Sequence, residues 1–131
     1  MAERNAELYR RGIEAFNRRD LDAFLALADP DVVGISRVLA IEGESYRGHA
    51  GTRRWWEDLL GVFPDFTIDV VWVREAGSLT VSELRNRAGG EGGAALEEHV
   101  WQVSEWRHGR VVRWQIHVTK EDALEAAGLS E

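Results

Sequence analysis

Apolar residues in the first eighteen positions recur at helical spacing. Tyr9, Ile13 and Phe16 stand at i, i+4 and i+7, with Arg10, Arg11, Arg18 and Arg19 on other faces, so residues 4–18 are predicted as an amphipathic helix. Asp20 is a good N-cap for a second, short helix carrying Leu21, Phe24, Leu25 and Ala28, and Asp29-Pro30-Asp31 should end it. Val32 to Ile41 is apolar and β-branched and reads as a strand, and Glu42–Gly51 reads as a loop. A third helix is predicted over 51–62, with Trp56, Leu59 or Leu60, and Phe63 as its apolar stripe.

Beyond Pro64 the pattern switches to strands at 66–75, 79–87, 95–106 and 111–119, separated by turn signals at Ala76-Gly77-Ser78, Gly89–Gly93 and His108-Gly109. The Gly-rich stretch lacks the Gly-Lys-Ser/Thr of a phosphate loop and reads as a hairpin loop. Thr119 and Asp122 form a capping pattern for a last helix, and Gly128 suits its C′ position. Helices followed by a run of antiparallel strands define an α+β layer architecture. With 131 residues and no linker or repeat, a single domain, 1–131, is expected.

Composition narrows the function. The net charge of −7 argues against a nucleic-acid partner, whose affinity would come from phosphate neutralisation. The lack of cysteine excludes disulfides, thiolate metal sites and a cysteine nucleophile. Met-Ala-Glu-Arg-Asn has neither the basic nor the apolar region of a secretory signal, and no apolar run reaches membrane-spanning length. A cytoplasmic protein with no membrane partner is expected, and no cofactor is implied. Six tryptophans is a high count for this length. They either fill an oversized core or line an apolar ligand cavity.

Alternation assigns the faces of the strands. On the last strand Trp114, Ile116, Val112 and Val118 share a face that should point inward, and Arg113, Gln115 and His117 point outward. A tight turn at His108-Gly109 pairs Arg107 with Arg110, which places Trp101 opposite Ile116 and His99 opposite Val118. The inward set on the preceding strand is then Glu97, His99, Trp101, Val103 and Glu105. Leu79 and Val81 mark the inward face of the strand before, which adds Glu83 and Arg85. Across the Gly-rich loop Glu83 is placed beside His99 and Arg85 beside Glu97. Three readings of this polar group are open: an ion-pair network, a metal site from Glu83, Glu97 and His99, or an acid/base pair of Glu83 and His99 with Arg85 holding an anionic oxygen. The spacing of the histidines gives the metal reading no support. The complementary outward face carries Val100, Trp106 and Val111, a patch suited to a homodimer interface.

The element order, with Ala15-Phe16-Asn17-Arg18-Arg19-Asp20-Leu21-Asp22, Tyr46-Arg47-Gly48-His49, Phe63-Pro64-Asp65, Gly109-Arg110-Val111-Val112-Arg113 and Ala123-Leu124-Glu125-Ala126-Ala127-Gly128-Leu129, resembles the NTF2-like superfamily and its SnoaL-like group. The resemblance implies a cystatin-like cone: a curved antiparallel sheet wrapped around three helices, an internal pocket, and often a homodimer through the sheet. It also implies no single activity, because the superfamily includes ketosteroid isomerases, polyketide cyclases, epoxide hydrolases and binding modules. The isomerase catalysts would fall at Gly12, near Ser36 and near Trp101, and the required groups are missing there. The Trp-x-Asp of the epoxide hydrolases reads Trp114-Gln115-Ile116, without the carboxylate. The expectation is a small, apolar, carbonyl-containing ligand in a pocket lined by Trp101, Trp114, Ile116, Val81, Glu97, Phe16 and Trp56. Glu83, His99 and Arg85 are the candidate catalysts for isomerase, cyclase or hydrolase chemistry. The alternative is a non-catalytic binding or structural dimer module.

Overall fold

A computed structural model describes residues 4–35, 45–89 and 95–129. The predicted strand residues 36–41, residues 42–44 of the predicted loop and the glycines at 90, 92 and 93 lie outside that set. Four helices, α1 (Asn5–Asn17), α2 (Leu21–Ala26), α3 (Gly48–Val62) and α4 (Lys120–Ala126), accompany six strands. These are β1 (Ala28–Ile35), β2 (Ser45–Arg47), β3 (Thr67–Ala76), β4 (Leu79–Ala88), β5 (Leu96–Arg107) and β6 (Arg110–His117). The spatial order is β2-β1-β6-β5-β4-β3; β1 runs parallel to β6, and the other neighbours are antiparallel. Ser45–Arg47, within the expected loop, forms the short β2, and β1 begins before Pro30 rather than after it.

Local chemistry sets the helix ends. The Asp20 side chain accepts a bond of 3.1 Å from Ala23 N, and Thr119 Oγ1 accepts one of 3.2 Å from Asp122 N. Gly128, at φ 72°, closes α4, with its N–H and that of Leu129 returning to Glu125 O and Leu124 O. At the end of α1, Asn17 bonds both backbone groups of Ile68, at 2.8 and 3.0 Å. Arg19 reaches Phe66 O at 2.6 Å and also bonds Pro64 O. These bonds fix α1 across the start of β3 and set which of its side chains lie under β4 and β5.

The main core lies between the inner face of the sheet and α1, α2 and α3. Its centre is Phe16, fully buried with ring centroids 5.0–6.1 Å from those of Phe24, Trp55, Trp56 and Phe66. A second, smaller core lies on the outer face, where α4 covers the sheet. There Val81, Ala123 and Leu124 are buried, with Trp72, Trp101 and Val103 packed against them.

The expected facing of β5 and β4 is corrected by the register. Arg107 pairs with Arg110 and Trp106 with Val111, but Glu105 pairs with Arg113, so Val112 is an extra residue in β6. This bulge reverses the alternation of β5 relative to β6. Trp114 therefore faces Ser104 and Ile116 faces Gln102. The inner positions of β5 are Val100, Gln102, Ser104 and Trp106. Trp101, Val103, His99 and Glu97 point outward, as do Val81, Glu83 and Arg85 of β4. The patch expected outside from Val100 and Trp106 is buried, at 3% and 5% exposure.

Candidate functional site

The inner face of the sheet, α1 and α3 enclose a cavity of about 100 Å³. Aromatic and aliphatic side chains form most of its wall, among them Ile13, Phe24, Trp55, Trp106, Trp114 and Ile116. Trp106 presents its ring because its Nε1–H is satisfied by Thr80 Oγ1 at 2.9 Å. Trp114 meets Trp55 edge to face, with centroids 5.8 Å apart.

The phenol and the two amides of the wall come from three elements, and the hydroxyl residues Thr52 and Ser104 also line it. Tyr9 of α1 donates to Gln102 Oε1 at 2.6 Å and accepts from Ser82 Oγ at 2.9 Å. Burial pushes the Tyr9 phenol far above its ordinary range, and the Ser82 bond and the Arg10 charge offset only part of this. Tyr9 is therefore a neutral donor at every physiological pH. Because its proton goes to Oε1 of Gln102, the free function of that amide is Nε2, whose N–H groups have no partner among the described residues. Asn86 of β4 is in the converse state. Its Nδ2 donates to Glu98 Oε1 at 2.9 Å, and its buried Oδ1 accepts no bond among the described residues.

The residues expected to line the pocket divide into three groups. Trp114 and Ile116 line it. Phe16 and Trp56 belong to the core behind the wall. Trp101, Val81 and Glu97 are on the other side of the sheet, for the reason the Val112 bulge gives. The polar residues missed by the sequence reading, Tyr9, Gln102 and Asn86, had one legible signal: Asn86 and Gln102 take the face opposite Glu83 and His99 whenever that pair is turned outward.

Glu83 and His99 do meet. His99 Nε2 lies 2.7 Å from Glu83 Oε2, although Glu83 stands opposite Trp101 and Arg85 opposite His99, a slip of two residues from the expected register. Trp72 Nε1 donates to the other carboxylate oxygen, the His99 ring lies 4.5 Å from that of Trp101, and Lys120 is 6.0 Å over Trp72. The pair sits on the outer face, so the sheet backbone separates it from the cavity. Arg85 is exposed and forms no ion pair among the described residues, and Glu97 is exposed opposite Arg87. His49, at the start of α3, has its Nε2 2.8 Å from Ala28 O.

Burial pushes the Glu83 carboxyl up, but bonds from His99 and Trp72 and the charges of His99 and Lys120 outweigh this and hold it below its ordinary value near 4.5. A depressed folded value contributes stability that is complete above pH 4.5 and lost as pH falls through the folded value. Glu83→Gln should thus be less stable than wild type at pH 7, with the gap narrowing as pH falls below about 4. Thermal melts at stepped pH measure it, and a gap of constant size would contradict this linkage.

A curved sheet folded over three helices, with its cavity at their junction, is the NTF2-like, cystatin-type architecture. The chain belongs to the SnoaL-like domain family, whose model matches residues 9–114. Solved structures share the fold at low identity. An NTF2-like protein of unknown function from Burkholderia pseudomallei is 21% identical with a TM-score of 0.77, covering 95% of this chain and 97% of that one. A putative polyketide cyclase from Sinorhizobium meliloti is 17% identical with a TM-score of 0.71, covering 85% and 94%. A protein with a ketosteroid isomerase-like fold from Catenulispora acidiphila, solved with trimethylamine, is 14% identical with a TM-score of 0.74, covering 95% and 94%. No curated protein matches the sequence. Among the described residues no helix is long and apolar enough to cross a membrane.

Proposed function

We propose that this SnoaL-like protein binds a small, largely apolar, carbonyl-containing molecule in the inner cavity, with Gln102 Nε2 donating to the carbonyl oxygen. The observation that carries this reading is a largely apolar, aromatic-rich wall that includes Gln102, an amide whose acceptor end is already occupied by Tyr9. A cavity of about 100 Å³ is of the order that holds one six-membered ring. Tyr9 is the only titratable side chain in the described wall, which favours binding over acid–base turnover there.

Cyclohexanone titrated into the protein should change the tryptophan fluorescence saturably, since Trp55, Trp106 and Trp114 line the cavity. Leu84→Trp should fill the cavity and abolish the response, and Gln102→Leu should weaken binding roughly tenfold, about the worth of one hydrogen bond. A wild-type signal that does not saturate, or that survives Leu84→Trp unchanged, would sink this reading.

The 2.7 Å contact of Glu83 and His99 favours a second proposal, acid–base chemistry with Arg85 on a molecule held at the outer face. Turnover there should survive Leu84→Trp and be lost in Glu83→Gln; the reverse pattern would reject it. Pairing of two chains through the outer face is also proposed. Its basis is the family resemblance and a recess of about 270 Å³ bordered by Val103, Arg113, Gln115 and His117. Light scattering should then give twice 14.8 kDa at micromolar concentration, and a mass of 14.8 kDa would refute it.

A further inference from the structure

The hydrogen bonds behind Gln102 decide which group of the ligand the cavity reads. This step rests on the cavity being the ligand site. Ser82, fully buried in β4, donates from Oγ to Tyr9 at 2.9 Å, and Tyr9 donates to Gln102 Oε1 at 2.6 Å. Nε2 is then the end of the amide left for a ligand. It has no partner among the described residues, and unlike Asn86 Oδ1 it is not shut away from the cavity that Gln102 lines. The same atoms also satisfy the opposite direction of donation. Each hydroxyl both donates and accepts, and the two ends of a primary amide have nearly the same shape. With the amide turned over, Nε2 donates to Tyr9, Tyr9 donates to Ser82, and Ser82 donates to the Gln102 carbonyl oxygen, 3.4 Å from its Oγ. Oε1 then faces the ligand as an acceptor. Both directions need a neutral phenol, which burial of Tyr9 secures. The second is the costlier, because 3.4 Å is long for a hydroxyl donor and 2.6 Å is short for an amide N–H. The chain therefore rests in the first direction until a ligand that donates pulls it over.

We propose that the cavity takes hydroxyl compounds as well as carbonyl compounds, the Ser82–Tyr9–Gln102 chain reversing to suit whichever enters. A carbonyl ligand accepts from Nε2, and a hydroxyl ligand donates to Oε1. The ligand class is a ring-sized apolar molecule whose one oxygen is either C=O or O–H. A single oxygen on a single amide keeps the ligand within a cavity of about 100 Å³. Ser82 stands behind the wall and is a positioning residue: it receives the Tyr9 hydrogen when the amide turns. Without it the second direction leaves a buried O–H unsatisfied, while the first keeps its bond from Tyr9 to Gln102.

The test uses two five-membered rings, cyclopentanone, which only accepts, and pyrrole, which only donates, with isothermal titration calorimetry on the whole chain. The readout is the ratio of the two affinities, because their unequal hydration cancels when variants are compared. Both should bind the wild type, and each should displace the other. Ser82→Ala should shift the ratio about tenfold toward cyclopentanone, the worth of one hydrogen bond. Tyr9→Phe should shift it the other way, about threefold toward pyrrole, because the amide then turns with no chain to reverse. A merely structural role for either residue would lower both affinities together and leave the ratio in place. If one variant does not fold, the other decides. Absence of pyrrole binding to the wild type, or a ratio within about twofold of wild type in a folded variant, overturns the reversal, while cyclohexanone binding leaves the carbonyl reading standing. Failure of cyclohexanone, cyclopentanone and pyrrole alike overturns the two together.

Discussion

Phe16→Ala should lower the free energy of unfolding by about 3–5 kcal/mol, the largest loss expected from a single side chain in this protein. Phe16 has no exposed surface and is in ring contact with four aromatic residues contributed by α2, α3 and the segment before β3. Two terms add. The transfer energy of the ring is lost, and a hole is left that Phe24, Trp55, Trp56 and Phe66 fill poorly, because each is held by its own element. Arg19 also stacks on the Phe16 ring at 5.2 Å while bonding the carbonyls that lead into β3, so the clamp between α1 and β3 should loosen as well. Phe16→Leu keeps most of the apolar volume and should cost less than half as much. Urea unfolding followed by circular dichroism measures both, and a loss below about 1.5 kcal/mol for Phe16→Ala would mean that the ring is not central to the core.

What the sequence made legible follows the same physics. Elements bounded by strong local chemistry came out within two or three residues. Asp20 and Thr119 cap helices, Gly128 ends one, and Gly77 and Gly109 turn hairpins at positive φ. The inward facing of Trp114 and Ile116 also held, because both lie on the same side of the bulge. The site did not, and two causes reinforced each other. One extra residue, Val112, reversed β5, and nothing in Arg110-Val111-Val112-Arg113 announces a bulge. The alternation of β4 gave the same wrong answer for another reason. Its apolar member Val81 lies in the second core under α4 and Leu79 shares that face, while Thr80, Ser82 and Asn86 face the main core. Ser82, Thr80 and Asn86 Nδ2 are buried with partners supplied by Tyr9, Trp106 and Glu98, and such long-range partners cannot be read from one strand. The pairing of Glu83 with His99 survived both errors because it depends on the relative parity of β4 and β5, which the two reversals left intact.

Gly34→Ala tests how the cavity wall is held. Gly34 lies in β1 opposite Trp114 of β6, in the parallel pair that joins the two ends of the chain. A Cβ built on Gly34 would fall closer than 3.0 Å to Cε2, Cζ2 and Nε1 of Trp114. The indole thus lies flat on the glycine backbone, and the missing side chain is what gives it that place. The backbone of Gly34 is not in the left-handed region, so alanine brings no torsional strain and its whole effect is steric. Trp114 must then swing away, breaking its edge contact with Trp55 and removing one side of the cavity. Overpacking of this kind costs about 1–3 kcal/mol, and the cyclohexanone response should fall with it. The double variant Gly34→Ala with Trp114→Leu separates this from a general weakening of β1. Once the indole is gone the added methyl has room, so the two losses in stability should not sum, by at least about 1 kcal/mol. Additive losses in that cycle, measured by urea unfolding, would show that Gly34 acts on the strand itself and not through Trp114.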